Sequence, residues 1–262
     1  MAQLAVAELT AVCTALMRAG CWNAARQLLQ ASKTDDPDEK LQLILAEADA
    51  AVDQDFWQGT AHSSATLSAL QDAIAQARDA TVQWDLEMLQ LRKDYSTALF
   101  SADRQPADAD ALAQRAERLR DAAPDDSRAG SVTFYAGLIA DQLLGLPAVA
   151  FAHYTAALEL AEQSGDEFLA SLALRHLGGH AHTAGDLVSA RTQWERSTEL
   201  RQKIGHLLGA LAQQALLAVL IRDEGDRPGA IALATEVNRW ARQLQLVWLE
   251  SQTSEFLKET VG

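Results

Sequence analysis

The feature that most constrains this chain is a glycine–alanine spacing that recurs at a fixed interval. Gly145, Gly185 and Gly225 are each followed five residues later by an alanine, Ala150, Ala190 and Ala230, so both series advance by forty. The same pair stands near the start of the chain as Gly20 and Ala25. Self-similarity at such a period marks an array of supersecondary units, none of which can bury its apolar face alone. Stacking the units gives one continuous core, which predicts a shape and a surface before any chemistry.

The units read as helical hairpins. Good helix formers dominate, glycine and proline number only 14 and 5 among 262 residues, and no convincing strand pattern is present. Residues 3–32 form two helices broken at Gly20. Leu4, Leu9, Val12, Leu16 and Met17 lie on the first, and Trp22, Ala25, Leu28 and Leu29 on the second. Asp36, Asp38 and Glu39 suit the positive N-terminus of the next helix. Apolar spacing then predicts helices over 38–55, 61–79, 81–100, 107–122, 127–144, 147–164, 167–184, 187–203, 207–224 and 227–244, with a shorter one at 247–258.

The expected fold is therefore all-α, six hairpins and a capping helix in a single domain spanning 1–262. Residues 1–122 are the less regular part, 127–244 the three regular repeats and 247–258 the cap. Every polar connector has the length of a hairpin turn, so no interdomain linker is expected.

A formal net charge of -14 argues against a nucleic-acid partner, whose phosphates require clustered Lys and Arg. The first twenty residues are apolar but carry Glu8 and lack a basic leader, so they read as an amphipathic helix, not a signal peptide. No segment is long and apolar enough for a membrane span. Cys13 and Cys21 have no metal-ligand pattern around them, and reduced thiols in the cytoplasm are the expectation.

Within the repeats, Gly145-Ala150-Tyr154-Ala157 and Gly185-Ala190-Trp194-Ser197 set a glycine, an alanine, an aromatic and a small residue at constant offsets, and Gly225-Ala230-Ala234-Val237 is a degraded copy. This pattern resembles the tetratricopeptide repeat. The period of forty exceeds the roughly thirty-four residues usual there and is similar to the longer arrays of bacterial sensors and regulators. The resemblance implies a right-handed superhelix, with the aromatic filling the gap between hairpins and the first helix of each hairpin lining a concave groove. It also implies a sensing or scaffolding role, since no helix-turn-helix is evident.

On that register Arg175, Gly179 and His182 share one face of helix 167–184 and point into the groove. Gly178 falls where the two helices of a hairpin touch. Gly179 has no such reason, although a mid-helix glycine costs about 1 kcal/mol relative to alanine, so it reads as a place for a ligand to approach the backbone. Subtracting forty adds Tyr135, Ile139 and Gln142, and adding forty adds Val219 and Arg222. Arg175 and Arg222 with Tyr135 would form a basic, aromatic pocket for a carboxylate, unless the arginines pair with nearby acids. His176 and His180 have a zinc-capable spacing but no third ligand, and read as a surface pair.

The expected function is capture of a protein segment or peptide, without cofactor, through Tyr135, Gln142, Arg175, Gly179, His182 and Arg222. One alternative is an enzyme or small-molecule binder with His182 as acid/base and Arg175 holding an anionic substrate. No phosphate-cradling loop, dinucleotide fingerprint or nucleophile elbow supports it. Another is a self-assembling protein that dimerises through the apolar N-terminal helix.

Overall fold

In the computed structural model, residues 5–77, 79–103 and 105–261 are described, and among them the chain forms thirteen α-helices, one π-helical turn and no strand. The helices are α1 (Val6–Arg18), α2 (Trp22–Ala31), α3 (Pro37–Gln58), α4 (Ser63–Ala77), α5 (Ala80–Phe100), α6 (Pro106–Asp121) and α7 (Asp126–Leu138). After them come α8 (Pro147–Ser164), α9 (Glu167–Thr183), α10 (Leu187–Lys203), α11 (Leu207–Asp223), α12 (Arg227–Gln243) and α13 (Val247–Val261). This is a tetratricopeptide-like α-solenoid, with α13 longer than the expected cap. Leu4 lies outside the described residues.

The recurring glycines end the first helix of a hairpin. Gly145, Gly185 and Gly225 have φ of 65°, 80° and 102°, the left-handed conformation that releases a helix into a tight turn at least cost with glycine. A second ruler, not recognised in the sequence, ends the other helix of each hairpin: Gly165 and Gly205 at φ 70° and 71°, then Gln245 at φ 57°. Aspartates restart the helices, Asp166, Asp186 and Asp226 each accepting a backbone N–H three residues on.

The motif alanines Ala150, Ala190 and Ala230 are fully buried, as are Tyr154, Ala157 and Ser197. The motif aromatic works chiefly inside its own hairpin and not only between hairpins as the resemblance implied. The Trp194 indole of α10 lies on Gly178 of α9, where an added Cβ would meet it at 2.4 Å, and its Nε1 donates to the Arg175 carbonyl at 2.8 Å. Tyr154 of α8 lies on Gly137 of α7 in the same way, at 2.6 Å.

These two glycines are forty-one residues apart, not forty, because Ile139–Leu143 is π-helical, with Leu144 N bonding to Ile139 O at 3.0 Å. A π turn accommodates one additional residue. Positions before it are therefore out of step with the later repeats by one, and Tyr135 corresponds to His176 rather than to Arg175. Ile139, expected in the groove, is instead fully buried in the core.

Among the odd-numbered helices α1 packs on α3, α3 on α5, α7 on α9 and α11 on α13, whereas α9 and α11 stay apart. The array also curls until its ends meet: Trp22 and Trp57 share a core cluster with Leu208, Leu246 and Leu249, and the Trp57 and Trp248 rings meet edge-on at 6.2 Å. Arg18 Nη1, at the end of α1, donates to Ile204 O at 3.3 Å. The first hairpins thus close against the last ones. Of the apolar N-terminal helix, Val6, Leu9 and Cys13 pack on Ala25, Leu29 and Leu43, while Val12 is exposed. No described helix is long and apolar enough to cross a membrane.

Candidate functional site

Arg175, Gly179 and His182 do lie along one side of α9, the side turned to α11. The two helices hardly touch through their backbones. They are bridged by side chains at two levels. At the middle of α9, Arg175 Nη1 donates to the Ala212 carbonyl at 3.4 Å and to Gln213 Oε1 at 3.3 Å, and its guanidinium lies over Trp248 of α13 at 5.8 Å. Near the end, His182 Nε2 meets Asp223 Oδ2 at 2.8 Å. Between the bridges, a Cβ added to Gly179 would find nothing within 4 Å. We refer to the stretch between the two bridges, about 10 Å of helix axis, as the α9–α11 slot.

The ends of the slot differ in charge. Burial brings the Arg175 guanidinium down to a pKa of about 10, and no described carboxylate forms an ion pair with it. It thus remains cationic at neutral pH and unsatisfied as a charge. At the other end Arg222 Nε donates to Asp223 Oδ1 at 2.7 Å and its guanidinium covers Phe256 at 5.1 Å. Hydrogen bonding from Arg222, and then from His182, holds the Asp223 carboxyl below the usual carboxylate range. Of the two arginines expected to face a ligand, one is neutralised and one is not.

The structure does not gather Tyr135 and Gln142 with them. The Tyr135 ring stands edge-on to Tyr95 at 5.7 Å, beside a polar cluster of Asp49, Asp53 and Arg92 on the preceding inner helices. Burial raises its pKa against the opposing influence of Arg92. In that cluster Arg92 Nη1 donates to Asp49 Oδ1 at 2.5 Å, and Trp22 Nε1 donates to Asp53 Oδ2 at 2.7 Å. Gln142, in the π turn, is exposed and bonds to its neighbour Asp141 at 2.9 Å.

His176 and His180 are not a surface pair. His176 stacks on Tyr154 at 4.7 Å and meets Phe134 at 5.5 Å, while His180 contacts Phe151 and Tyr154, both at 5.8 Å. Burial depresses the His176 pKa, and the charges of Arg175 and Arg201 depress it further. Among the described residues no group of three His, Cys, Asp or Glu side chains is placed to hold a metal ion. The residues that sequence reasoning missed are Gln213, Asp223 and Trp248. Gln213 left a signal, an amide inside the apolar run LLGALAQQALLAVL.

No family model matches the chain, and no curated protein matches it. Among solved structures it is similar to a Signal Transduction ATPase with Numerous Domains with a tetratricopeptide repeat sensor, from Pyrococcus horikoshii. The match has 17% identity and a TM-score of 0.48, over 88% of this chain but only 35% of that one, so the chain spans about a third of that protein's length. It is also similar to a Rap protein complexed with Competence and Sporulation Factor, at 16% identity and a TM-score of 0.43, over 95% of this chain and 79% of that one.

Proposed function

We propose that the protein is a binding module, and that it takes a segment of a protein or peptide into the slot between α9 and α11. The observation that supports this most is the open face at Gly179, flanked by the bridges of Arg175 and His182. A glycine in mid-helix with no neighbour to accommodate has no packing role, whereas Gly178 beside it plainly has one. Arg175, charged and without an ion-pair partner, is suited to a carboxylate on the incoming segment, and His182 with Asp223 to a polar group at the other end. Arg222 contributes by holding Asp223. Tyr135 and Gln142 fall outside this contact set.

The reading is tested by replacing Arg175 and His182 with alanine together and comparing capture of binding partners from cell extract. Capture is expected to be lost while helicity measured by circular dichroism is retained. Undiminished capture by a folded double variant would overturn the proposal. An enzyme reading finds a polar dyad in His182 and Asp223, but no described nucleophile is bonded to it.

A further inference from the structure

A separate cluster lies at the first turn of α11. Helices α9, α10 and α12 each begin on an aspartate whose carboxylate accepts a backbone N–H of the first turn. Helix α11 begins on His206 and has no side-chain cap. Its positive end faces the Arg201 side chain of α10, which is only 3% exposed. Arg201 Nη1 donates to the Gly209 carbonyl at 2.8 Å, but its Nε and Nη2 are buried without any partner. His206 Nδ1 is in the same condition, and so is Nε2 of Gln213, about two turns further along α11. The Gln213 Oε1 is already taken by Arg175.

The unmet groups are mostly N–H donors, and among the described residues no ion pair includes Arg175 or Arg201, in a chain with net charge -14. Burying an unpaired charge is among the costliest features a fold can hold, and buried donors normally find acceptors. Burial, and then the charge of Arg175, push the Arg201 pKa down to about 9, which still leaves it protonated at neutral pH. Space at this turn depends on a glycine. A Cβ on Gly209 would stand 2.1 Å from His206 Nδ1 and 2.8 Å from Arg201 Nη1. Arg18 of α1 closes the cluster over Phe168, whose ring meets His206 edge-on at 5.1 Å.

We propose that the first turn of α11 is a binding site for a small oxyanion, held by Arg201 with His206 and Gln213, which supplies the negative charge that aspartate supplies to α9, α10 and α12. The chemistry is common to a phosphate and a carboxylate, and helix N-termini favour both. Gln213 links this site to Arg175 of the α9–α11 slot, but its test does not depend on partner capture, because it is read with inorganic probes in the absence of any partner.

The test is calorimetric titration of the full chain, in chloride buffer, with inorganic phosphate and separately with acetate. Saturable one-to-one binding of at least one is expected, with a Tm rise of about 5 °C at a hundredfold excess over Kd. Binding of phosphate alone supports a phosphate-type ligand, and binding of acetate alone a carboxylate. Arg201→Met should lower the affinity at least tenfold. Should that variant fail to fold, His206→Asp decides, since an internal carboxylate is expected to abolish the anion response. Absence of saturable binding by the wild type, or an unchanged affinity in the folded variants, overturns the proposal.

Discussion

Arginines bridge neighbouring helices in both halves of the array, but on different terms. In the first half three of them meet carboxylates: Arg92 pairs with Asp49 at 2.5 Å, Arg115 with Asp94 at 2.8 Å, and Arg128 with Asp85 through two bonds of 2.7 and 2.8 Å. In the second half Arg175 and Arg201 meet carbonyls and an amide and no described carboxylate. A paired arginine completes the fold it sits in. A buried arginine bonded only to neutral groups has charge left over for something else. The contrast separates three arginines answered by carboxylates from two buried arginines that are not.

The sharpest way to break this comparison is to delete one arginine from each half. Arg92→Ala leaves Asp49 and Asp53 without their cation and should cost about 3 kcal/mol of unfolding free energy by urea titration. Arg201→Met removes an uncompensated charge and replaces it with apolar volume, so in chloride buffer it should leave stability unchanged or raise it. Equal losses in the two variants would erase the distinction.

Adjacent glycines give a second contrast. Gly178→Ala drives a methyl into the Trp194 indole and should destabilise by about 2 kcal/mol. Gly179→Ala meets open space and should stabilise by about 1 kcal/mol through helix propensity alone, both measured as shifts in Tm.

Acid–base linkage tests the first half. Burial raises the Asp53 carboxyl to a pKa of about 6 from an ordinary 3.8. The folded chain therefore holds that proton more tightly than the unfolded chain, so the contribution is most favourable below about pH 4 and is lost as pH rises through about 6. Asp53→Asn can still accept the Trp22 bond, and should flatten the stability profile in that window and stabilise by about 2 kcal/mol at pH 7. A profile with the wild-type slope would show that another group titrates there.

The smallest effect concerns the second glycine ruler. Gln245 occupies the left-handed position that Gly165 and Gly205 fill in the preceding repeats, so Gln245→Gly should raise stability by up to about 1 kcal/mol.

The hairpins were legible because a buried stripe and a turn glycine are local demands that leave local marks. The face shared by Arg175, Gly179 and His182 was legible for the same reason, and so was the structural role of Gly178. The equivalences carried back to Tyr135 and Gln142 failed at one inserted residue, since a π turn shifts the register without altering composition. Its trace was present in the spacing of Gly137 and Gly178. Contacts between the ends of the array, such as Trp57 with Trp248, have no local signature, because they depend on accumulated curvature. The isolation of Arg201 was equally hidden. A basic residue in a last helical turn is ordinary until its neighbours in space are known.

The most direct test of the slot is to fill it. Gly179→Leu places a side chain where the structure shows vacant space on a helix that gains propensity, so the variant should unfold at the same or a higher temperature than wild type and yet lose partner capture. A variant that binds undiminished, or one that loses binding only because its Tm has fallen, would contradict the assignment of the α9–α11 slot as the binding surface.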